Sequence, residues 1–316
     1  MVHWFSGDLF LEHLTGDGHP ERPERLSHAV KYLETTKLLD RCRREKWSAL
    51  NLGQLSRVHD REHVEKVQAF AEHGGGRIEA DTVVSLRSFE VAASAAGAAV
   101  AAVDAVLAGL DARAFCLIRP PGHHATRDRP MGFCLFNSIA LAAEHAIAQH
   151  KLERVLIVDW DVHHGNGTQD IFYSDPRVMF FSIHRYPFYP GTGAVGETGT
   201  GPGLGFTRNE PVAFGTPREV FRARFDKALD ESAKKIRPQL VLISAGFDAH
   251  AEDPIGSLGL EIEDFETLTK SVVDVANTYC GGKIVSLLEG GYNVPILAKC
   301  IEAHLKVLLA QPEGNR

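Results

Sequence analysis

The stretch Val155-Leu-Ile-Val-Asp-Trp-Asp-Val-His-His-Gly-Asn-Gly167 joins an apolar run directly to two aspartates and two histidines. Val155 to Val158 reads as a strand buried on both faces, the pattern of a parallel-sheet interior. Asp159, Asp161 and His163 then alternate at period two, which turns them to one side for as long as the strand lasts. Gly165 and Gly167 are expected to end the element by admitting backbone conformations that a Cβ opposes. Carboxylates and an imidazole leaving a strand's C-terminal end together can hold a divalent metal, and open α/β sheets place their sites at that end. Aspartates after strands also cap helices. Two of them close together at the edge of a core, however, repel and lose hydration unless a cation or several donors compensate them. Partners are therefore expected from elsewhere in the chain.

Strand and helix patterns alternate through the rest of the sequence. Helices are expected from about Glu24, after His59-Asp60 as far as the Gly74-Gly-Gly76 break, and over Ser88–Leu110, Phe136–His150, Glu219–Lys235, Ile262–Tyr279 and Val294–Leu309. Strands are expected over Phe115–Ile118, Val178–His184, Leu240–Ser244 and Ile284–Leu288, with a long glycine-rich loop over Arg185–Asn209. This βα order, without repeats or linkers, implies one α/β domain over residues 1–316, with a largely parallel sheet flanked by helices.

Composition narrows the functional classes. The formal net charge of -7 argues against nucleic-acid binding, which needs basic clusters. The apolar run Val91–Leu110 is mostly alanine and contains Asp104, so it reads as a buried helix and not as a membrane span. The N-terminus lacks the basic flank and apolar core of a signal peptide. Five cysteines, odd in number and without a CxxC pair, fit reduced thiols in a cytoplasm. Cys134 lies near the histidines of the next paragraph, but a nucleophilic cysteine needs a base partner, and metal chemistry explains the same neighbourhood.

Four of the expected strands, counting Val155–Val158, lead into a turn that carries a reactive side chain. His123 and His124 follow the first, Asp248 follows Leu240–Ser244, and Tyr292 follows Ile284–Leu288. Asp161, His163 and Asp248 offer one nitrogen and two carboxylate oxygens, a set suited to Zn²⁺ or Fe²⁺ with positions left open for water and substrate. His123 and His124 are then free to move protons, with Asp159 and Asn166 orienting them, and Tyr292 can donate to an oxyanion. The residues thus point to metal-assisted amide hydrolysis.

RPPGHHA, DWDVHHGNG, SIHRYPFYPGTG, SAGFDAH, DPIG and EGGYN, in this order and spacing, resemble the zinc-dependent histone deacetylase family. GHPERPERL is similar to the corresponding segment of its class II and bacterial amidohydrolase-like members. The resemblance runs from about Gly18 to Asn293. It implies the arginase/deacetylase fold, one catalytic zinc per chain, and hydrolysis of N-acetyl-lysine or a related acylated amine. Acetylpolyamines and other small amides or esters are the alternative substrates, and a protein that binds acylated amines without turnover is the alternative class.

Carried over by motif, the resemblance implies Asp161, His163 and Asp248 as zinc ligands, His124 as general base and acid, His123 as its electrostatic helper, and Tyr292 as transition-state donor. Asp159 pairs with His123, and Asn166 stands where class I members carry aspartate. A structural potassium ion is implied at Asp159, Asp161, His163, Ser182 and the Ile183 backbone. Gly132, Phe133, Tyr189, Ile255 and Gly290 are placed around the substrate. Phe133 and Tyr189 form aromatic walls, and Ile255 occupies the position where polyamine-selective relatives carry glutamate. His19 and Glu21 are placed near the pocket rim. His3, His13, His63, His73, His145, His150 and His304 read as surface or packing residues.

Overall fold

The computed structural model describes residues 1–109 and 111–310. In chain order its elements are β1 (Val2–Phe5), α1 (Glu24–Thr35), β2 (Cys42–Arg44), α2 (Leu52–Leu55), α3 (Arg61–Glu72), β3 (Gly76–Arg77), β4 (Val83–Val84), α4 (Ser88–Leu107) and β5 (Arg113–Cys116). They continue with α5 (Ser138–Ala148), β6 (Val155–Asp159), α6 (Asn166–Phe172), β7 (Val178–Arg185), β8 (Thr207–Val212), α7 (Arg218–Ile236), β9 (Leu240–Ala245), α8 (Ile262–Cys280), β10 (Ile284–Leu288) and α9 (Val294–Leu309).

Eight strands form one sheet in the order β2-β1-β5-β10-β9-β6-β7-β8. Every pairing in it is parallel. β3 and β4 form a separate antiparallel pair. Each residue of β5, β6, β9 and β10 is buried, as strands covered on both faces require. The register pairs Asp159 of β6 with Ser244 of β9 and Ser182 of β7, and Leu288 of β10 with Ala245 of β9. The central strands therefore end level with one another, and the turns after them share one edge.

The helices follow the apolar stripes read from the sequence. α4 is the one helix among the described residues long and apolar enough to cross a membrane, but it is mostly buried and packs against α5, β5 and β1. Its expected end at Leu110 lies outside the described residues, and the helix stops at Leu107. Asn137 caps α5, accepting a hydrogen bond from the Ala140 N–H at 3.0 Å, and Gly281 closes α8 at φ 64°.

Three expectations change. β6 stops at Asp159, so Asp161 and His163 are placed by turns and not by the pleat of a strand. The Asp161 N–H donates to Asp159 Oδ1 at 3.1 Å and the His163 N–H to Asp161 Oδ1 at 2.9 Å, so each aspartate folds back on the backbone two residues on. Gly165 has φ -74° and Gly167 lies within α6, so neither is demanded by its backbone angles. Space demands them: a Cβ at Gly165 would run into the Asp159 carboxylate, and one at Gly167 into the Ala125 carbonyl. Finally, the long loop is bounded by Arg185 of β7 and Thr207 of β8, an edge strand that occupies its last expected residues.

Candidate metal centre and active site

Asp161, His163 and Asp248 converge. Their three ligand atoms lie within 4.8 Å of one another, and all three residues are buried. His163 Nδ1 faces Asp161 Oδ1 at 3.0 Å and Asp248 Oδ2 at 3.1 Å, but only the first contact has hydrogen-bond geometry. Asp248 Oδ1 accepts from the Val162 N–H at 2.8 Å, whereas Oδ2 is buried without a hydrogen-bond partner among the described residues. A buried carboxylate oxygen left alone is costly, and a cation satisfies it. Burial and the Asp161 charge push the Asp248 carboxyl up, the direction expected of two acids sharing a site with no ion between them. This donor set of one imidazole and two carboxylates fits a divalent metal such as zinc.

The backbone approaches this centre closely. The Gly290 N–H donates to Asp161 Oδ2 at 2.8 Å. A Cβ on Gly290 would collide with carboxylate oxygens of both Asp248 and Asp161, so glycine is required there for space. Gly132 is required twice over: its φ is 55°, and a Cβ would strike the His124 ring.

The tandem histidines lie beside the centre with ring centroids 4.0 Å apart. His123 Nδ1 bonds Asp159 Oδ2 at 2.9 Å, and its Nε2 stands 3.8 Å from Asp161 Oδ1. Burial alone would lower its pKa, but the Asp159 and Asp161 carboxylates more than reverse this and raise it to about 10. A dication between the carboxylates would oppose that rise. His124 Nδ1 bonds Asn166 Oδ1 at 2.7 Å. Burial, then the positive charges of His123 and His163, hold its pKa well below the usual histidine range, and a neutral amide supplies little to counter them.

Tyr292 is nearly buried, with its ring edge-on to Phe133 at 5.8 Å and the Arg25 guanidinium 5.0 Å from its centroid. Burial raises the phenol well above its ordinary range, so it remains a donor. Tyr189 stands edge-on to His124 at 5.1 Å. Phe133 adopts φ 68°, an unusual angle for a side chain this size, held by the Thr82 hydroxyl accepting its N–H at 3.1 Å while Asp81 accepts that of Gly132 at 3.1 Å. His19 meets Phe133 edge-on at 4.8 Å. Ile255 is partly exposed on the loop after Asp253, which also accepts the Tyr292 N–H at 2.7 Å.

Ser182 lies opposite Asp159 in the sheet, and its hydroxyl is engaged by His184 Nδ1 at 2.9 Å, with Ile183 next along β7. Glu21 does not line the rim. It is fully buried, accepting from Arg119 Nη2 at 2.7 Å and Arg25 Nη1 at 3.0 Å.

Several supporting residues escape a reading of the sequence. Arg25 Nε donates to the Gly291 carbonyl at 2.7 Å and Nη2 to that of Glu289, fixing the turn that bears Tyr292. The Glu289 carboxylate takes the N–H groups of Gly122 and His123 at 2.7 and 3.2 Å. The signal was present in EGGYN and DPIG, whose acidic residues sit beside the singled-out positions.

Residues 19–308 match the family described as the histone deacetylase domain. The chain belongs to the histone deacetylase family. It is 38% identical over 284 residues to the histone deacetylase-like amidohydrolase of Pseudomonas aeruginosa, covering 90% of this chain and 75% of that protein. It is also 40% identical to the human polyamine deacetylase HDAC10 over 92% of this chain, which spans 45% of that protein's length. The crystal structure of the HDA15 HD domain superimposes with a TM-score of 0.92 at 36% identity, covering 98% of this chain and 88% of that one. The fold is that of the arginase/deacetylase proteins, and membership of this family supports a hydrolase of the deacetylase type.

Proposed function

We propose that the protein is a zinc-dependent amidohydrolase that removes acetyl or other acyl groups from N-acyl-lysine-type substrates in proteins, peptides or small acylated amines. The observation that carries this reading is the convergence of Asp161, His163 and Asp248 within 4.8 Å beside His124 and Tyr292. Zinc held by those three residues supplies Lewis-acid polarisation of the acyl carbonyl and acidifies a water.

The remaining chemistry belongs to the chain. Asn166 Oδ1 only accepts, so His124 carries its proton on Nδ1 and leaves Nε2 free to take one from the attacking water. His124 then returns that proton to the leaving amine. His123, cationic beside Asp159, and the protonated Tyr292 phenol stabilise the oxyanion that forms as water adds to the carbonyl. Phe133 and Tyr189 pack the methylene stem of the substrate, and Gly132 and Gly290 allow the close approach. We assign the structural potassium to Asp159, Asp161, His163, Ser182 and the Ile183 backbone, where it would offset the buried acids. The free thiols, Cys42, Cys116, Cys134, Cys280 and Cys300, fit a reducing compartment such as the cytoplasm.

Turnover of a fluorogenic acetyl-lysine amide is compared with that of N-acetylputrescine, each in zinc-loaded and chelated enzyme. Zinc-dependent turnover of the lysine substrate is expected. Tyr292→Phe should keep its zinc and lose about 100-fold or more in kcat; wild-type turnover in that variant removes Tyr292 from the mechanism. Acetylpolyamine hydrolysis is the second reading, favoured by the 40% identity to human HDAC10. The apolar Ile255 opposes it, because it offers no charge to a distant ammonium.

A further inference from the structure

We propose a second metal site, formed by Asp104, His145 and His150, for a borderline divalent cation of the zinc, nickel or copper class. Asp104 lies in the last turns of α4, His145 in the last turn of α5, and His150 just beyond the end of α5. Both imidazoles aim the same nitrogen at the same oxygen: His145 Nε2 is 2.7 Å and His150 Nε2 2.6 Å from Asp104 Oδ1. The three ligand atoms lie within 4.8 Å of one another.

This arrangement differs from a solvated charge cluster in its composition and aim. Two imidazole nitrogen donors and one carboxylate suit transition cations and offer too few oxygens for calcium or magnesium. The ring centroids stand 5.5 Å apart at an interplanar angle of 70°, so the two nitrogens reach the carboxylate from different directions, and an ion would bind by replacing their hydrogen bonds to Asp104. The side chains are 53%, 15% and 32% exposed for Asp104, His145 and His150, which gives an ion direct entry and leaves positions for water. Bound there, a cation would pin the end of α4 to the end of α5.

The site is separate from the chemistry. α5 is capped by Asn137, whose amide Nδ2 donates to the Ala125 carbonyl next to His124 at 3.2 Å. From that cap the helix runs roughly 12 Å, at 1.5 Å per residue, before it reaches His145 and the cluster. Occupancy of one site is therefore expected to leave ligand contacts at the other untouched.

The test strips the full chain with a chelator and titrates it with Zn²⁺ alone and Ni²⁺ alone, using wild type, His150→Ala, His145→Ala and Asp104→Asn. Wild type should take one more zinc equivalent than each variant, and the affinity of that equivalent should fall about 100-fold in the variants. Nickel should raise the melting temperature of wild type more than that of His150→Ala, whose residue lies at the surface outside any element, because the variant keeps only the catalytic set. Asp248→Ala should lose the other equivalent and keep this one, which separates failure of the catalytic assignment from failure of this one. Equal zinc content in wild type and all three cluster variants, or an unchanged nickel response in His150→Ala, overturns the proposal.

Discussion

The partner of His124 makes the proton transfer open to a quantitative test. Asn166→Asp is nearly isosteric and puts a negative charge where Oδ1 now accepts from His124 Nδ1 at 2.7 Å. In the wild type, burial and the His123 and His163 charges depress His124, and the Asp161 charge and the Asn166 hydrogen bond only partly oppose them. An adjacent anion raises a histidine by about one to three pH units, equivalent to about 1.4 to 4 kcal/mol in favour of the protonated ring. Solvent does not screen the pair, because His124 is almost completely buried. The base works unprotonated, so the acid limb of kcat/KM should move to higher pH by the same one to three units or so. The assay is kcat/KM for an acetyl-lysine amide from about pH 5 to 9, on wild type and variant matched for zinc content. Superimposable acid limbs would refute the assignment of His124 as the base, or of Asn166 as the group that sets it.

Three further outcomes follow from the packing. Gly290→Ala drives a methyl into the Asp161 and Asp248 carboxylates, so stability should fall by about 1–3 kcal/mol and zinc affinity by about tenfold or more; wild-type zinc binding and urea midpoint would show that the close approach is not needed. His59 and His304 are held by burial at about 3, and His63 at about 4, against 6.5 when free. Because the folded values are depressed, the unfolded chain binds protons first, and the stability these residues contribute is present above about pH 6.5 and lost as pH falls toward 4. At about 1.4 kcal/mol each, roughly 4 kcal/mol should be lost by one pH unit below the free value, and equal urea stability at pH 7.5 and 5.5 would contradict this. Ile255→Glu should shift the ratio of N-acetylputrescine to acetyl-lysine turnover upward about tenfold, as one added charge contact allows; an unmoved ratio would take this position out of substrate selection.

How much of this was legible in the sequence depended on whether a residue's role was local. β6, β9 and β10 declare themselves through largely apolar runs, because burial on both faces removes any polar alternation, whereas β5, expected over Phe115–Ile118, lies over Arg113–Cys116 and begins with an arginine. β2, made of Cys42-Arg-Arg44, and β8, which contains Pro211, do not, because edge strands tolerate charge and proline and take their order from neighbours. The same division holds in the site. Asp161, His163, Asp248 and Tyr292 could be named because each follows a readable strand. Glu289 stands in the EGGYN motif but acts on the N–H groups of Gly122 and His123, more than a hundred residues away, and Arg25 acts on carbonyls near the other end of the chain, so the sequence does not show what either residue holds. Gly165 and Gly167 show a second limit: a glycine in a motif signals either a backbone angle or a close approach, and only the three-dimensional neighbours decide which. The pairing of His145 and His150 with Asp104 was hidden for the same reason, since it exists only once α4 and α5 pack.

The distribution of hydrogen bonds around the buried acids explains why the centre calls for a cation. Asp159, Asp161, Asp248 and Glu289 are all essentially inaccessible to water. Asp159 is answered by the Asp161 N–H and His123, Asp161 by the N–H groups of His163 and Gly290, and Glu289 by those of Gly122 and His123. Each of these acids thus has donors that were fixed when the turns formed, which lowers the cost of its burial. Asp248 has one such donor on Oδ1 and none on Oδ2. If the imidazole of His163 satisfied that oxygen by turning its proton toward it, Asp161 Oδ1 would lose the same proton, since both oxygens face one nitrogen at 3.0 and 3.1 Å. A single proton cannot serve both, and a divalent ion can. The fold therefore assembles three acids with at least two protein donors each and a fourth, Asp248, whose Oδ2 is left for a cation.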